Sequence, residues 1–208
     1  ADDPAKMAAA AVAYAHAKSI KIKLTGDLPL DIARVDAIRA ARPDVWIGVD
    51  ANQGFTIGDF DALVAGMVAA GVSLIEQPLA RGRETDLDGF RSPIPLAADE
   101  SALTLADVGG LKGRFDVFNI KLDKCGGLTE ALMIAAAARE AGLGVMVGCM
   151  VCSSLGAAPA FVAGQVCDLV DLDGPLFLAQ DRAPALLYED GTVWCDEAVW
   201  GARMSAAA

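Results

Sequence analysis

Short apolar runs alternate along the chain with longer segments in which apolar residues recur at helical spacing. The apolar runs predict β-strands, because near-continuous hydrophobic stretches suit a parallel sheet that is covered on both faces. The predicted strands are 19–24, 45–50, 73–77, 95–99, 116–122, 144–149 and 167–173. The segments between them predict helices over 4–17, 30–41, 57–70, 102–112, 128–141 and 154–165. A βα unit repeated in this way builds a parallel barrel.

Residues with strong positional preferences bracket several of these helices. Asp3 and Pro4 suit the N-cap and the first turn of the opening helix. Gly71 and Gly142 follow the last apolar positions of two later helices, where glycine commonly ends a helix. The pattern fails after residue 180, so 1–180 is the predicted barrel domain and 181–208 predicts an irregular or β-rich C-terminal tail.

Seven strands are one fewer than a closed eight-stranded barrel requires, and the chain opens on a helix. We therefore expect the first barrel strand to lie outside these 208 residues. Numbered on that basis, the visible strands are the second to the eighth of the ring. The second and the sixth then face each other across the mouth of the barrel.

Composition narrows the function classes. Hydrophobic residues make up 54% of the chain, charged residues 22%, and the net charge is −11, which disfavours nucleic acid as a partner. No run reaches the roughly 18 apolar residues that a membrane span needs. The five cysteines are odd in number and lie mostly in apolar runs, so we expect reduced thiols in a cytoplasmic protein. A redox role for the pair Cys149 and Cys152 is the alternative.

Charged side chains stand at the C-terminal ends of the predicted strands. Lys23, Asp50, Glu76, Asp99 and Lys124 are separated by 27, 26, 23 and 25 residues, which is one strand plus one helix each time. In a parallel barrel these strand ends form the face that carries the chemistry. The regular placement therefore predicts an enzyme.

Three of these residues, Asp50, Glu76 and Asp99, lie on consecutive strands and predict a metal site. Three carboxylates without a histidine suit a hard cation, Mg²⁺ before Mn²⁺ or Ca²⁺. Lys23 and Lys124 are expected on opposite sides of the mouth, and Lys21, two residues before Lys23, points to the same side as Lys23.

The segments KIKL, VDANQGF, LIEQP, ADES and NIKLDKCGG resemble, in order and spacing, the muconate lactonizing enzyme branch of the enolase superfamily. The resemblance covers about residues 4 to 190. It implies an α/β fold, a (β/α)7β TIM-like barrel, together with an N-terminal α+β capping domain outside this sequence. The tail 181–208 is expected to pack against that capping domain.

The resemblance also implies roles for individual residues. Lys23 and Lys124 would be the two acid/base groups, and Mg²⁺ would be held by the three carboxylates. Substrate contacts are implied for Lys21, Cys149 and Met150, and supporting contacts for Asn52, Glu100 and Lys121.

The end of the last predicted strand narrows the substrate. Asp171 and Asp173 lie two apart on one face and resemble the pair that holds the substrate's α-ammonium in dipeptide epimerases. Helix capping or turn chemistry before Gly174 is the alternative. Cys152 stands where related sequences often carry glutamate, a difference that bears on side-chain preference.

The resemblance therefore implies an isomerase, a Mg²⁺-dependent dipeptide epimerase. We expect a cytoplasmic homo-oligomer with a small-molecule substrate and with neither nucleic acid nor membrane as partner. N-acylamino acid racemases, o-succinylbenzoate synthases and cycloisomerases use the same groups and remain alternatives. Outside the family, the alternatives are a Schiff-base aldolase, which needs a lysine but no carboxylate trio, and an inactive metal-binding barrel fragment.

Overall fold

The computed structural model describes residues 1–201, so the end of the predicted tail, 202–208, lies outside the described residues. The strands are β1 (Ser19–Lys23), β2 (Trp46–Asp50), β3 (Leu74–Glu76), β4 (Leu96–Ala98), β5 (Val117–Lys121), β6 (Gly144–Gly148), β7 (Leu169–Asp171), β8 (Leu187–Glu189) and β9 (Thr192–Trp194). The helices are α1 (Pro4–Ala13), α2 (Leu28–Ala41), α3 (Phe60–Ala69), α4 (Val108–Leu111), α5 (Leu122–Cys125), α6 (Leu128–Glu140) and α7 (Ser154–Gly164). Each of the seven predicted strands is confirmed within its predicted limits.

The chain forms two compact units. Unit 1 comprises Ala1–Ser101 and Gly110–Val117, and unit 2 comprises Ala102–Gly109 and the chain from Phe118. In unit 1 the strands β1 to β4 are parallel and adjacent in chain order. Ile47, Val49 and Ile75 on these strands are completely buried, as a sheet covered by helices requires.

The register of unit 1 aligns the strand ends. Lys23 on β1 pairs with Asp50 on β2, and Asp50 pairs in turn with Glu76 on β3. Glu76 pairs with Ala97 on β4, two residues before Asp99. Parallel pairing in this register therefore brings charged side chains from four separate segments to one edge of the sheet.

Unit 2 contains β5 from Phe118 onwards, followed in chain order by β6 and β7, and β6 and β7 are parallel. The predicted tail contains the antiparallel hairpin β8–β9, whose turn at Asp190 and Gly191 has positive φ at both residues, as a two-residue hairpin turn demands. The tail packs on α7 through a buried cluster formed by Ala157, Ala158, Leu186 and Val199.

At several helix ends, the local sequence is sufficient to predict where the helix begins or stops. Asp3 accepts a hydrogen bond from the backbone N–H of Ala5, and Gly71 and Gly142 both have positive φ, so the predicted cap and the two predicted stops are confirmed. The first helix, predicted to run to residue 17, ends at Ala13. The guanidinium of Arg42 donates to the carbonyls of Ala11, Tyr14 and Ala17, so these carbonyls have hydrogen-bond partners without a longer helix.

Two other segments differ from the prediction. The expected helix 102–112 is reduced to a 3-10 turn followed by the short α4, whose centre is Gly109 and Gly110, the poorest helix formers after proline. The one-turn helix α5 was not predicted, and it places Lys124 on a helical turn after β5 rather than at the strand end. Within residues 1–201 no helix has the length and apolar character to cross a membrane.

Candidate active site

The edge of the sheet in unit 1 carries a buried carboxylate cluster. One oxygen each from Asp50, Glu76 and Asp99 lies within 4.8 Å of the others. The three residues are only 2%, 0% and 5% exposed. Buried like charges at this separation repel strongly, and an oxygen-only set of this kind fits a hard divalent cation.

Both lysines of β1 reach this cluster. Lys21 Nζ lies 3.1 Å from Glu76 Oε2, and Lys23 Nζ lies 2.8 Å from Asp50 Oδ2. The side chain of Lys21 is 18% exposed, whereas that of Lys23 is 60% exposed. The prediction that the two side chains share a side is therefore confirmed, and Lys23 is the one that solvent or a bound molecule can reach.

The protonation of Glu76 reflects its surroundings. Burial, the largest effect, raises the pKa of Glu76 from its ordinary value of 4.5 to about 7. The charges of Asp50 and Asp99 act in the same direction, and the ammonium of Lys21 opposes them. A positive ion among the three carboxylates would lower the pKa of Glu76 by stabilising its charged form.

Asn52 makes two hydrogen bonds to Asp50. Its backbone N–H donates to Asp50 Oδ1 at 3.0 Å, and its side-chain amide donates to the Asp50 carbonyl at 3.3 Å. Asn52 has a φ of 45°, a left-handed conformation that asparagine adopts more readily than most residues. Glu100 is half-buried beside Asp99, and the described contacts give its Oε2 no hydrogen bond.

Gln77 holds the third carboxylate in place, a role that sequence analysis missed. Its Oε1 accepts from the backbone N–H of Asp99 at 2.9 Å and of Ser101 at 3.1 Å. Its Nε2 donates to the carbonyl of Leu79 at 2.9 Å and to the Ser101 hydroxyl at 2.8 Å. Gln77 is 1% exposed, and a polar residue directly after the strand glutamate was the available signal.

Unit 2 carries the other predicted lysines. Lys121 ends β5, and Lys124 on α5 donates from Nζ to the carbonyl of Asn119 at 3.0 Å. Asn119, whose carbonyl accepts this hydrogen bond, is completely buried, and the sequence had given no reason to single it out. A Cβ on Gly148 of β6 would lie 3.1 Å from Asn119 Oδ1 and 3.2 Å from Lys121 Cε, so the close approach of β6 favours glycine there.

The end of β7 presents the two predicted aspartates. Asp171 is half-buried and Asp173 is exposed, while Leu172 between them is only 3% exposed. Asp171 is the last residue of β7, and Asp173 lies just beyond the strand with helical backbone angles, so the buried Leu172 separates the two aspartates. Asp173 precedes a 3-10 turn, Gly174–Phe177, but its side chain makes no capping hydrogen bond.

The loop after β6 carries Cys149, Met150 and Cys152. Met150 is 54% exposed, whereas both cysteines are partly buried, and all five cysteines of the chain are free thiols. Burial raises the pKa of the Cys149 thiol to about 12 and raises that of Cys152 as well. A thiol that stays protonated at neutral pH is a poor nucleophile, which disfavours the redox alternative.

Parallel βα units that carry an oxygen-only ligand set and lysines at their strand ends define a barrel-type domain suited to cation-assisted proton transfer. The chain belongs to the enolase C-terminal domain-like family, whose model matches residues 4–198. This membership confirms the predicted superfamily and the TIM-like barrel class.

Two curated relatives and one crystal structure are similar to the chain. It is 43% identical over 201 residues to an N-acetyl-D-glutamate racemase from a Pseudoalteromonas species, covering 96% of this chain and 63% of that protein. It is 42% identical over 177 residues to the L-Ala-D/L-Glu epimerase of Escherichia coli strain K12, covering 85% of this chain and 54% of that protein. The chain therefore spans between half and two thirds of the length of these relatives.

The crystal structure is that of a dipeptide epimerase from Methylococcus capsulatus, complexed with Mg and the dipeptide L-Arg-D-Lys. The TM-score is 0.87 at 33% sequence identity, over 92% of this chain and 57% of that one.

Proposed function

We propose that this chain is the barrel part of a Mg²⁺-dependent dipeptide epimerase, an isomerase that inverts the α-carbon of one residue of a dipeptide. The observation that carries this proposal is the buried cluster of Asp50, Glu76 and Asp99 with two lysines of β1 against it. The relatives named above are racemases and epimerases, which supports proton transfer at an α-carbon.

Asp50, Glu76 and Asp99 would hold the cation. Their buried oxygen-only set fits Mg²⁺, and the similar Methylococcus capsulatus enzyme was crystallised with Mg. When bound, the ion would stabilise the negative charge that builds up on the substrate carboxylate as the α-proton leaves. Gln77 and Asn52 would keep the carboxylates in position through the hydrogen bonds described above.

Lys23 and Lys124 are the proposed acid/base pair. One lysine would take the α-proton from one face of the substrate, and the other would return a proton to the opposite face, so that the carbon is inverted. Lys23 suits this role because its side chain is exposed beside the carboxylate cluster, while Lys21 is the more buried of the two. Lys121 is proposed as a supporting residue.

Asp171 and Asp173 would recognise the free α-ammonium of the dipeptide. They lie two residues apart at the end of β7, and the side chain of Asp173 does not cap the turn that follows. Two carboxylates facing one ammonium form charge-assisted hydrogen bonds, which are stronger than neutral ones. Cys149 and Met150, in the loop after β6, are the proposed contacts for the rest of the substrate.

Racemisation of an N-acylated amino acid is the second candidate. It is favoured by the 43% identity to the N-acetyl-D-glutamate racemase over 96% of this chain. Such a substrate has no free ammonium, so the two candidates differ in what they require of the aspartate pair.

Replacing Asp173 with asparagine separates the candidates. For dipeptides with a free amine we expect kcat/KM to fall roughly 10²-fold, because the substrate ammonium loses one of the two carboxylates proposed to bind it. For the N-acetylated dipeptide the change should stay within about twofold, as it should for both substrates in the control Asp36→Asn, which removes an exposed carboxylate from α2. A wild type that prefers N-acylated amino acids would establish the second candidate instead.

The contact between the tail and a capping domain stays a prediction. The described part of the tail packs on α7, yet Leu187, Trp194 and Trp200 are 55%, 56% and 46% exposed. Large apolar side chains exposed together favour contact with a further surface, which supports the prediction.

A further inference from the structure

The hairpin of the tail reaches the backbone between the two aspartates. Tyr188 on β8 donates its hydroxyl hydrogen to the carbonyl oxygen of Leu172, with the two oxygens 2.6 Å apart. Leu172 is the residue that separates Asp171 from Asp173. A residue of the tail, distant in sequence, is thereby bonded to the middle of the segment that presents both carboxylates.

The same segment is held from its other side by the loop after β6. Cys149 Sγ donates weakly to the carbonyl of Asp171 at 3.9 Å. A Cβ on Gly174 would lie 2.4 Å from the carbonyl oxygen of Met150 and 2.9 Å from Cys149 Sγ. The two carbonyls at 171 and 172 thus have separate donors, and Gly174 packs too tightly against the loop for any side chain.

Tyr188 is itself fixed in place. Its ring packs against the cluster of Ala157, Ala158, Leu186 and Val199 between α7 and the tail. The backbone N–H of Leu186 donates to Ser154 Oγ at 2.8 Å, and Ser154 N–H at the start of α7 donates to Asp181 at 3.0 Å. The hydroxyl is therefore anchored by a helix terminus as well as by the hairpin.

The surroundings of Tyr188 keep its hydroxyl protonated. Burial, and next the nearby Cys149 and Asp173, raise the pKa of Tyr188 above its ordinary value of 10. The phenol therefore keeps its proton, and with it the hydrogen bond to Leu172, at neutral pH.

We propose that Tyr188 is a positioning residue for recognition of the substrate ammonium, and that hairpin β8–β9 thereby sets the geometry of the Asp171–Asp173 pair. Two carboxylates bind one ammonium tightly only if the backbone between them is already ordered before binding, because ordering that backbone on binding would cost affinity. This role rests on the proposed function, since it requires that the pair bind an ammonium.

Tyr188→Phe tests the role, because it removes the hydroxyl and keeps the ring in the cluster. The chain has two tyrosines, and Tyr14→Phe is the matched control, since Tyr14 is 59% exposed in unit 1. Hydrogen exchange of the backbone amides over residues 171–176 is measured first, without substrate. Tyr188→Phe should speed exchange there by about tenfold, and Tyr14→Phe should leave it unchanged.

Kinetics then test recognition. For a free-amine dipeptide we expect the KM of Tyr188→Phe to rise about tenfold with kcat changed less than about twofold, and for the N-acetylated dipeptide we expect no change in KM. Unchanged hydrogen exchange would overturn the positioning role. Faster exchange with an equal effect on both substrates would overturn the link to the ammonium and leave Tyr188 a structural residue.

Failure of the proposed function would look different. A wild type that does not epimerise free-amine dipeptides removes that function, and with it the recognition role of Tyr188. Hydrogen exchange would still show independently whether the hydroxyl orders the backbone at 171–174.

Discussion

Glu76 makes the stability of the metal-free protein depend on pH, and replacing it with glutamine tests that dependence. Its pKa is about 7 in the folded protein against an ordinary 4.5, chiefly because it is buried. A carboxyl group whose folded pKa is raised binds more protons when folded, so stability falls as pH rises from about 4.5 to about 7. The difference between the two pKa values corresponds to about 3 kcal/mol of unfolding free energy.

In the presence of chelator, we therefore expect Glu76 to lower the free energy of unfolding of the wild type by about 3 kcal/mol between pH 4.5 and pH 8. The variant Glu76→Gln should not show this decrease. Other carboxylates contribute their own pH dependence, so the quantity to compare is the difference between wild type and variant at each pH. The exposed residue Glu140, replaced by glutamine, is the matched control and should follow the wild type.

Mg²⁺ should reverse this loss. The cation binds the deprotonated cluster, so the rise in Tm on adding Mg²⁺ should be larger at pH 8 than at pH 5.5, and Glu76→Gln should largely abolish it. Denaturant titrations and thermal melts at both pH values, with Mg²⁺ or chelator, measure each expectation. Equal pH dependence in wild type and Glu76→Gln, or a Mg²⁺ effect that is the same at both pH values, would refute the reasoning.

Two further predictions concern the lysine pair and the network behind the carboxylates. Lys124→Ala should stop epimerisation in D₂O, which optical rotation follows, while NMR should still detect α-deuteration of one epimer through Lys23. Full activity after replacement of Lys23 alone or of Lys124 alone would rule out two-base chemistry. Gln77→Ala should cost about 2–4 kcal/mol of unfolding free energy, because it leaves the buried N–H groups of Asp99 and Ser101 without their acceptor. Denaturant unfolding measures that cost. Gln165→Ala is the control, because Gln165 is exposed and its side chain makes one hydrogen bond, of 3.2 Å, to the carbonyl of Phe161. Equal losses of unfolding free energy in the two variants would contradict the role given to Gln77.

The sequence by itself located the seven strands β1 to β7, but within the tail it did not locate the hairpin strands β8 and β9. Buried parallel strands are nearly continuous apolar runs, and that property is local, as the agreement of 45–50 with Trp46–Asp50 shows. Local chemistry also determined the helix cap at Asp3 and the stops at Gly71 and Gly142, because those preferences depend on the residue's own backbone. The regular spacing of strand-end charges was enough to predict a carboxylate cluster on β2, β3 and the chain after β4.

Only the tertiary structure decided which polar residues hold these groups in place. Gln77 bonds to Asp99, 22 residues further on, and Tyr188 bonds to the carbonyl of Leu172, 16 residues earlier. The α1 helix likewise ends at Ala13 where carbonyls near its end meet Arg42, 25 to 31 residues away. Such contacts leave no periodic signal, because they depend on how separate segments pack, and a side chain's hydrogen-bonding partner is fixed only when the fold has brought it within about 3 Å.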